Sequence, residues 1–250
     1  MIFQHIPTYK GDPILSLMDD FKQDTHTQKV NLGIGLYYND HGVVPQFKSV
    51  QQAHHNLTHI LQNQASLYLP MEGLKNFREL TQVLLYGELN PAITQERRVA
   101  TVQTIGVSGA LKIGADFLKQ YFPQAQVWVS QPTWENHIAI FQGARFTVHH
   151  YPYWNEETGQ INFEEMCSCL RGIPKHSIVL LHPCCHNPTG MDLSNEQFDL
   201  LIDILQKQHL IPFLDLAYLG LGRGLVEDTY LIQQLLIKQV NFLGLCCTKI

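Results

Sequence analysis

The sequence predicts an α/β fold, a mainly parallel sheet covered by helices on both faces. Strand-like apolar runs recur at 99–105, 126–130, 145–149, 177–181, 210–214 and 240–245. Helical patterns separate most of these runs, and alternation of this kind favours parallel pairing through helical crossovers. A chain of 250 residues can also bury about three quarters of its unfolded surface, enough for a substantial core.

The elements justify this in order. Asp12 and Pro13 make a helix start, with Ile14, Leu17, Met18 and Phe21 forming an apolar stripe behind them. Val30 to Gly35 is an apolar segment broken by Gly33 and Gly35, where a turn is the plain expectation. A helix is expected from about Lys48 to Gln62. His55 and His59 lie four apart on it, but nothing nearby completes a ligand set, so they read as a solvated face. Residues 68–73 form a loop and Leu74 to Tyr86 another helix. After the run at 99–105, Gly106-Val107-Ser108-Gly109 reads as a tight turn. Ala110 to Tyr121 then reads as a helix with Ala110, Ile113 and Phe117 on one face. Ser194 and Gln197 form a capping box ahead of Phe198, Leu201, Ile202 and Leu205.

Composition narrows the partners. Forty-five per cent apolar, 16% charged residues and a net charge of −5 describe an ordinary globular chain without a basic cluster. Nucleic acid and anionic membranes are therefore not expected partners. No apolar run approaches the ~20 residues of a membrane helix, and the first ten residues lack the pattern of a signal peptide. Six cysteines include the adjacent pairs Cys184-Cys185 and Cys246-Cys247, without a secreted disulfide framework. A cytoplasmic location is the expectation.

The residues with chemical potential follow strand-like runs, where open α/β sheets bind ligands. The turn holding Ser108 and Gly109 opens a helix, so its N–H groups, the hydroxyl and the helix dipole can hold a phosphate, although such turns are common without one. Asp215 closes the run 210–214. A carboxylate there needs a positive neighbour: a ligand, or in the plain reading a helix cap or an ion pair with Arg223. Tyr218 offers a phenol three residues on. Trp134 offers an aromatic face, with core packing as its plain alternative. Lys249 closes the last run and, if desolvated, is a Schiff-base nucleophile; most such lysines simply reach solvent. A zinc site from His182, Cys184, Cys185 and His186 ranks last, because adjacent residues on an extended segment point to opposite faces and the spacing fits no usual pattern. No metal is expected. Together, phosphate cradle, aromatic plate, asparagine, aspartate, tyrosine and lysine are the parts needed to hold pyridoxal phosphate.

Three segments carry a family resemblance: Asn31 to Tyr37 (NLGIGLY), Cys184 to Gly190 (CCHNPTG) and Asp215 to Tyr218 (DLAY). In these the chain resembles class I aminotransferases of fold type I, specifically the bacterial aspartate and aromatic (tyrosine) enzymes, from Asp12 to Lys249. The resemblance implies pyridoxal-phosphate-dependent transamination between an aromatic amino acid or aspartate and a 2-oxo acid such as 2-oxoglutarate. It implies that Lys249 holds the cofactor and moves the proton, that Asp215 pairs with the pyridine nitrogen, and that Asn187 and Tyr218 contact the ring oxygen. Trp134 would stack on the ring, Ser108 and Gly109 bind the phosphate, and His137 stand behind Asp215. Gly35, Trp134 and Asn187 would lie near the substrate, and Tyr68 would reach the cofactor of a partner subunit in a homodimer with shared sites.

The proline bonds after Gln131 and Asn187 are expected to be cis. Val107 and Cys246 depart from the glycine and serine usual in the family. The implied domains are an N-terminal arm with a small-domain segment at 1–45 and a C-terminally incomplete cofactor-binding domain at 46–250. The family continues past its lysine, so the expectation is a chain truncated just after it, with a catalytically silent remnant as the alternative.

Overall fold

The computed structural model describes residues 4–5, 13–31, 38–62, 65 and 67–246. The chain divides between residues 66 and 67 into two compact units, each described by itself. The first contains α1 (Pro13–Gln23) and α2 (Lys48–Leu61), and α2 has no buried residue. His55 and His59 lie edge to face on it, exposed as expected. Gly35, at the expected substrate position, lies outside the described residues.

The second unit begins with α3 (Lys75–Tyr86), α4 (Pro91–Thr94) and α5 (Gly106–Tyr121). Then come β1 (Val127–Gln131), α6 (Glu135–Gly143), β2 (Val148–Pro152), the short β3 (Trp154–Asn155) and β4 (Gln160–Ile161), and α7 (Phe163–Gly172). The chain continues through β5 (Ile178–Leu181), α8 (Asn195–Lys207), β6 (Ile211–Leu216), α9 (Leu225–Asp228), α10 (Tyr230–Ile237) and β7 (Leu243–Cys246). Five strands form one sheet in the order β2-β1-β5-β6-β7, and all four pairings are parallel. β3 and β4 pair separately as an antiparallel ribbon.

Both faces of the sheet are covered, because side chains alternate along a strand. Ile178 and Leu180 of β5 join Phe213 of β6 and the helices α5 and α6 in one core. Val179, Leu181, Leu214 and Leu216 join α7, α8 and α10 in the other. The capping box forms as expected: Ser194 Oγ accepts from Gln197 N–H, and Gln197 Oε1 accepts from Ser194 N–H. Phe198, Leu201, Ile202 and Leu205 are all buried behind it.

Two expectations fail. Residues 99–104 form no strand and no other regular element; Val102 is half-exposed and Ile105 is 95% exposed. Apolar β-branched residues favour a pleated surface but make a strand only against a neighbour, and none of the described strands pairs with this segment. Second, the expected turn 106–109 is the first turn of α5 itself.

Ala110, Ile113 and Phe117 do share a face of α5, but the helix buries another, formed by Val107, Leu111, Gly114, Ala115 and Leu118, and leaves Ile113 and Phe117 half-exposed. Two apolar stripes have helical spacing here, and backbone proximity selects between them. A Cβ on Gly114 would stand 2.7 Å from the Phe213 ring, so only glycine lets the helix approach the sheet so closely.

Candidate active site

The strand order fixes where a ligand can sit. From β1 the chain turns outward to β2, then returns to the other side of β1 to lay down β5, β6 and β7. The crevice beyond the carboxyl ends of β1 and β5 is therefore a topological switch point, where ligands bind in open α/β sheets. Thr133 and Trp134 follow β1, Asn187 follows β5, and Asp215 and Tyr218 end and follow β6.

Asp215 shares the face of Phe213, two residues before it, and so points toward α5 and α6. On α6, His137 is fully buried one turn before the equally buried Phe141. The two sides meet: His137 Nε2 and Asp215 Oδ2 are 2.8 Å apart, and His137 Nδ1 lies 2.8 Å from Thr133 Oγ1. Asp215 is 3% exposed, yet its second oxygen, Oδ1, is buried with no hydrogen-bond partner. Arg223, the plain alternative as its ion-pair partner, instead donates from Nη2 to Asn195 Oδ1. Trp134 is half-buried at the N-terminus of α6, its ring edge-on to His137 at 5.3 Å between centroids.

The loop after β5 is held by many polar contacts. Asp192 accepts the backbone N–H of both Cys185 and His186, at 2.7 and 2.8 Å. His186 stacks on Tyr153 at 3.9 Å, and its ring nitrogens lie 2.9 Å from Ser130 Oγ and 2.8 Å from Thr189 Oγ1. Burial lowers the His186 pKa to about 4. Cys185 adopts φ 50°, and its thiol lies 3.7 Å from the carbonyl of Tyr218, tying the β5 loop to the β6 loop. The bonds Gln131–Pro132 and Asn187–Pro188 are both cis, as expected.

The zinc set that ranked last in the sequence does not gather. Cys184 and Cys185 group with Asp228, whereas His182 groups with His137 and Asp215. The left-handed Cys185 backbone removes the premise of an extended segment and lets both thiols approach Asp228. The carboxylate of Asp228 already accepts the N–H groups of Gly220, Gly222 and Arg223. The hydrogen bond between the thiols lowers the Cys185 pKa and raises that of Cys184.

Ser108 is exposed and Gly109 half-buried in the first turn of α5, where the N–H groups of Gly106 and Gly109 donate to the carbonyls of Thr104 and Ile105. Tyr68 is fully exposed. Lys249 lies outside the described residues. Four residues escaped the sequence reading or were weighed only as something else: Thr133, Asp192, Asp228 and His182. For His182 a signal existed, since 178, 180 and 182 share a face, but only the sheet order places that face beside Asp215.

The residues present fit a pyridoxal ring: a buried carboxylate oxygen without a partner suits a protonated pyridine nitrogen, and a half-buried indole stands nearby. A parallel sheet with this site at its switch point defines an α/β ligand-binding domain, and comparison with known proteins gives its family. The family described as aminotransferase class I and II matches residues 27–248, and the chain belongs to it. That family is pyridoxal-phosphate-dependent.

The aromatic-amino-acid aminotransferase of Escherichia coli (strain K12) is 55% identical over 232 residues, covering 93% of this chain and 58% of that protein. An aspartate aminotransferase of Pseudomonas aeruginosa is 41% identical over 227 residues, covering 91% of this chain and 56% of that protein. The crystal structure of the aromatic-amino-acid aminotransferase of Burkholderia pseudomallei, covalently bound to pyridoxal phosphate, superposes with a TM-score of 0.93 at 38% identity. That match covers 99% of this chain and 61% of the other. The chain thus spans somewhat under three fifths of the length of these curated relatives. Among the described residues no helix is long and apolar enough to cross a membrane.

Proposed function

We propose that this chain binds pyridoxal 5'-phosphate and serves transamination between an aromatic amino acid or aspartate and a 2-oxo acid such as 2-oxoglutarate. The observation that carries the reading is Asp215, buried, held by His137 through one oxygen and left without a partner at the other. Bound there, the cofactor would supply a conjugated ring able to take up the electron pair released at the substrate Cα.

The chain's own residues would do the rest. Asp215 Oδ1 would keep the pyridine nitrogen protonated, and His137, anchored on Thr133, would hold the carboxylate in place. Trp134 would cover one face of the ring and exclude water. Asn187 and Tyr218 would hydrogen-bond the ring oxygen, and the first turn of α5 with Ser108 and Gly109 would bind the phosphate. Lys249 would hold the cofactor and carry the proton to and from Cα. Gly35, Trp134 and Asn187 would border the substrate. Tyr68, fully exposed, would serve the site of a second copy in a cytoplasmic homodimer. Residues 1–45 would act as an arm with a small-domain segment, and 46–250 as the cofactor-binding domain.

The test is spectroscopic. Purified chain mixed with pyridoxal phosphate should develop the visible band of a lysine-linked cofactor, and borohydride should fix the label on Lys249 by peptide mass. An aromatic amino acid or aspartate should then shift the band to the pyridoxamine form. No band, or labelling confined to other lysines, would overturn cofactor binding; a band that neither amino acid shifts would overturn transamination.

A further inference from the structure

We propose that His137, His182 and Asp215 form a binding site for one divalent cation of the zinc–cobalt class, occupied only when the cofactor is absent. Residue spacing along the chain does not suggest this trio; the sheet brings it together. Parallel register sets Leu180 beside Phe213 and Leu181 beside Leu214. One step further brings His182 beside Asp215, on the face that α6 covers with His137. One nitrogen from each histidine and one carboxylate oxygen all lie within 4.8 Å of one another. The three residues are 0%, 9% and 3% exposed, respectively.

The group is short of positive charge and of hydrogen bonds. Asp215 Oδ1, His182 Nδ1 and His182 Nε2 are all buried without partners. A pyridine nitrogen would account for the carboxylate oxygen and leave both histidine nitrogens unexplained. Among the described residues, the ring of His137 is the hydrogen-bond partner of Asp215. Buried polar atoms without partners are costly unless something meets them, and a cation would meet the carboxylate and one nitrogen of each histidine at once.

The ligand chemistry agrees. Burial first, and then the neighbouring His186, hold the His182 pKa well below its usual value, so its ring stays neutral and keeps a lone pair. Metal-bound histidines commonly donate their other ring N–H to a polar partner. His137 has that partner in Thr133 Oγ1; its ring proton would move from Nε2 to Nδ1, and the hydroxyl would accept it. Bonds of about 2.0–2.2 Å would draw the three atoms closer than they stand. His182, with no ring hydrogen bond, is able to rotate inward. Three protein ligands leave a fourth position for water. Asp215 cannot serve cation and pyridine nitrogen together, so the two ligands exclude each other.

The experiment titrates the full, cofactor-stripped chain with Co2+ and with Zn2+. One equivalent should bind, with the visible ligand-field bands of four-coordinate Co2+, and His182→Gln should weaken binding at least ~10-fold. The Cys184→Ser/Cys185→Ser variant should bind as the parent does. Should His182→Gln misfold, X-ray absorption of the zinc-loaded parent decides, with nitrogen and oxygen neighbours and no sulfur expected. Absence of stoichiometric binding, binding unmoved in folded His182→Gln, or sulfur at the metal would overturn the site. Where borohydride fixes the cofactor on Lys249, metal uptake should vanish; undiminished uptake would overturn the exclusion. Failure of Lys249 labelling would strike the cofactor reading alone, since the cation arms do not depend on it.

Discussion

Two buried carboxylates in this chain have opposite surroundings. Asp228, 2% exposed, receives three backbone N–H groups from the loop it follows, and both of its oxygens are used. Asp215, 3% exposed, receives one ring nitrogen, and its other oxygen receives nothing. Burial is the same, so it does not distinguish the roles; completeness of hydrogen bonding does. A satisfied buried carboxylate closes a loop, whereas a half-satisfied one awaits a ligand.

The contrast is broken most directly at Asp228. Asp228→Ala should cost on the order of 4 kcal/mol, because it strands several buried N–H groups. A urea midpoint within a few tenths of the parent's would refute the clasp. Asp215→Asn should act the other way round, weakening pyridoxal phosphate by on the order of 100-fold, about 2.7 kcal/mol. Its unfolding midpoint should barely move. If instead stability falls and cofactor affinity, read by spectral titration, holds, Asp215 is a structural residue like Asp228.

Acid should sharpen the comparison at the histidines around the site. His186, lowered to about 4, and His182, held well below its usual value by burial, stay neutral in the fold. Unfolded, each would take a proton near 6.5. Between about pH 6.5 and 4 the unfolded chain therefore binds more protons, and stability falls as pH falls. The slope is at most about 1.4 kcal/mol per pH unit for each group. Urea midpoints between pH 7 and 5 measure it, and His186→Gln should flatten it. The smallest effect belongs to a residue that bonds neither carboxylate: Ser194→Ala should cost ~1 kcal/mol by removing the cap of α8, leaving cofactor affinity unchanged. A changed affinity would mean the two faces of the sheet are coupled.

What could be read without coordinates follows the same division. The strand runs ending at Leu181 and Leu214 were legible because they are continuous apolar segments, and Asp215 stood out as a charge at the end of one. Ser194 and Gln197 were legible because a capping box is local. The run 99–105 was misread, since apolar β-branched residues indicate strand-forming tendency and say nothing of a neighbour. Which face of α5 is buried was not legible, because the deciding contact, Gly114 on Phe213, joins residues 99 apart (213 − 114). Residues that act through non-local partners, such as Asp192 with Cys185 or His182 with Asp215, leave no pattern of their own. Gly35 and Lys249 lie outside the described residues, so their roles rest on resemblance.

The switch point has a consequence for how the chain folds. Val127 of β1 aligns with Ile178 of β5, 51 residues later (178 − 127). The other ladders span less: 21 residues from Val127 to Val148, 33 from Ile178 to Ile211 and 30 from Phe213 to Leu243. Closing a longer loop costs more chain entropy and tends to slow folding. The crevice between Trp134 and Asn187 therefore depends on the longest-range ladder of the sheet. A ligand bound there would act as a staple across that seam, drawing its stabilising effect from the two segments with the most chain between them.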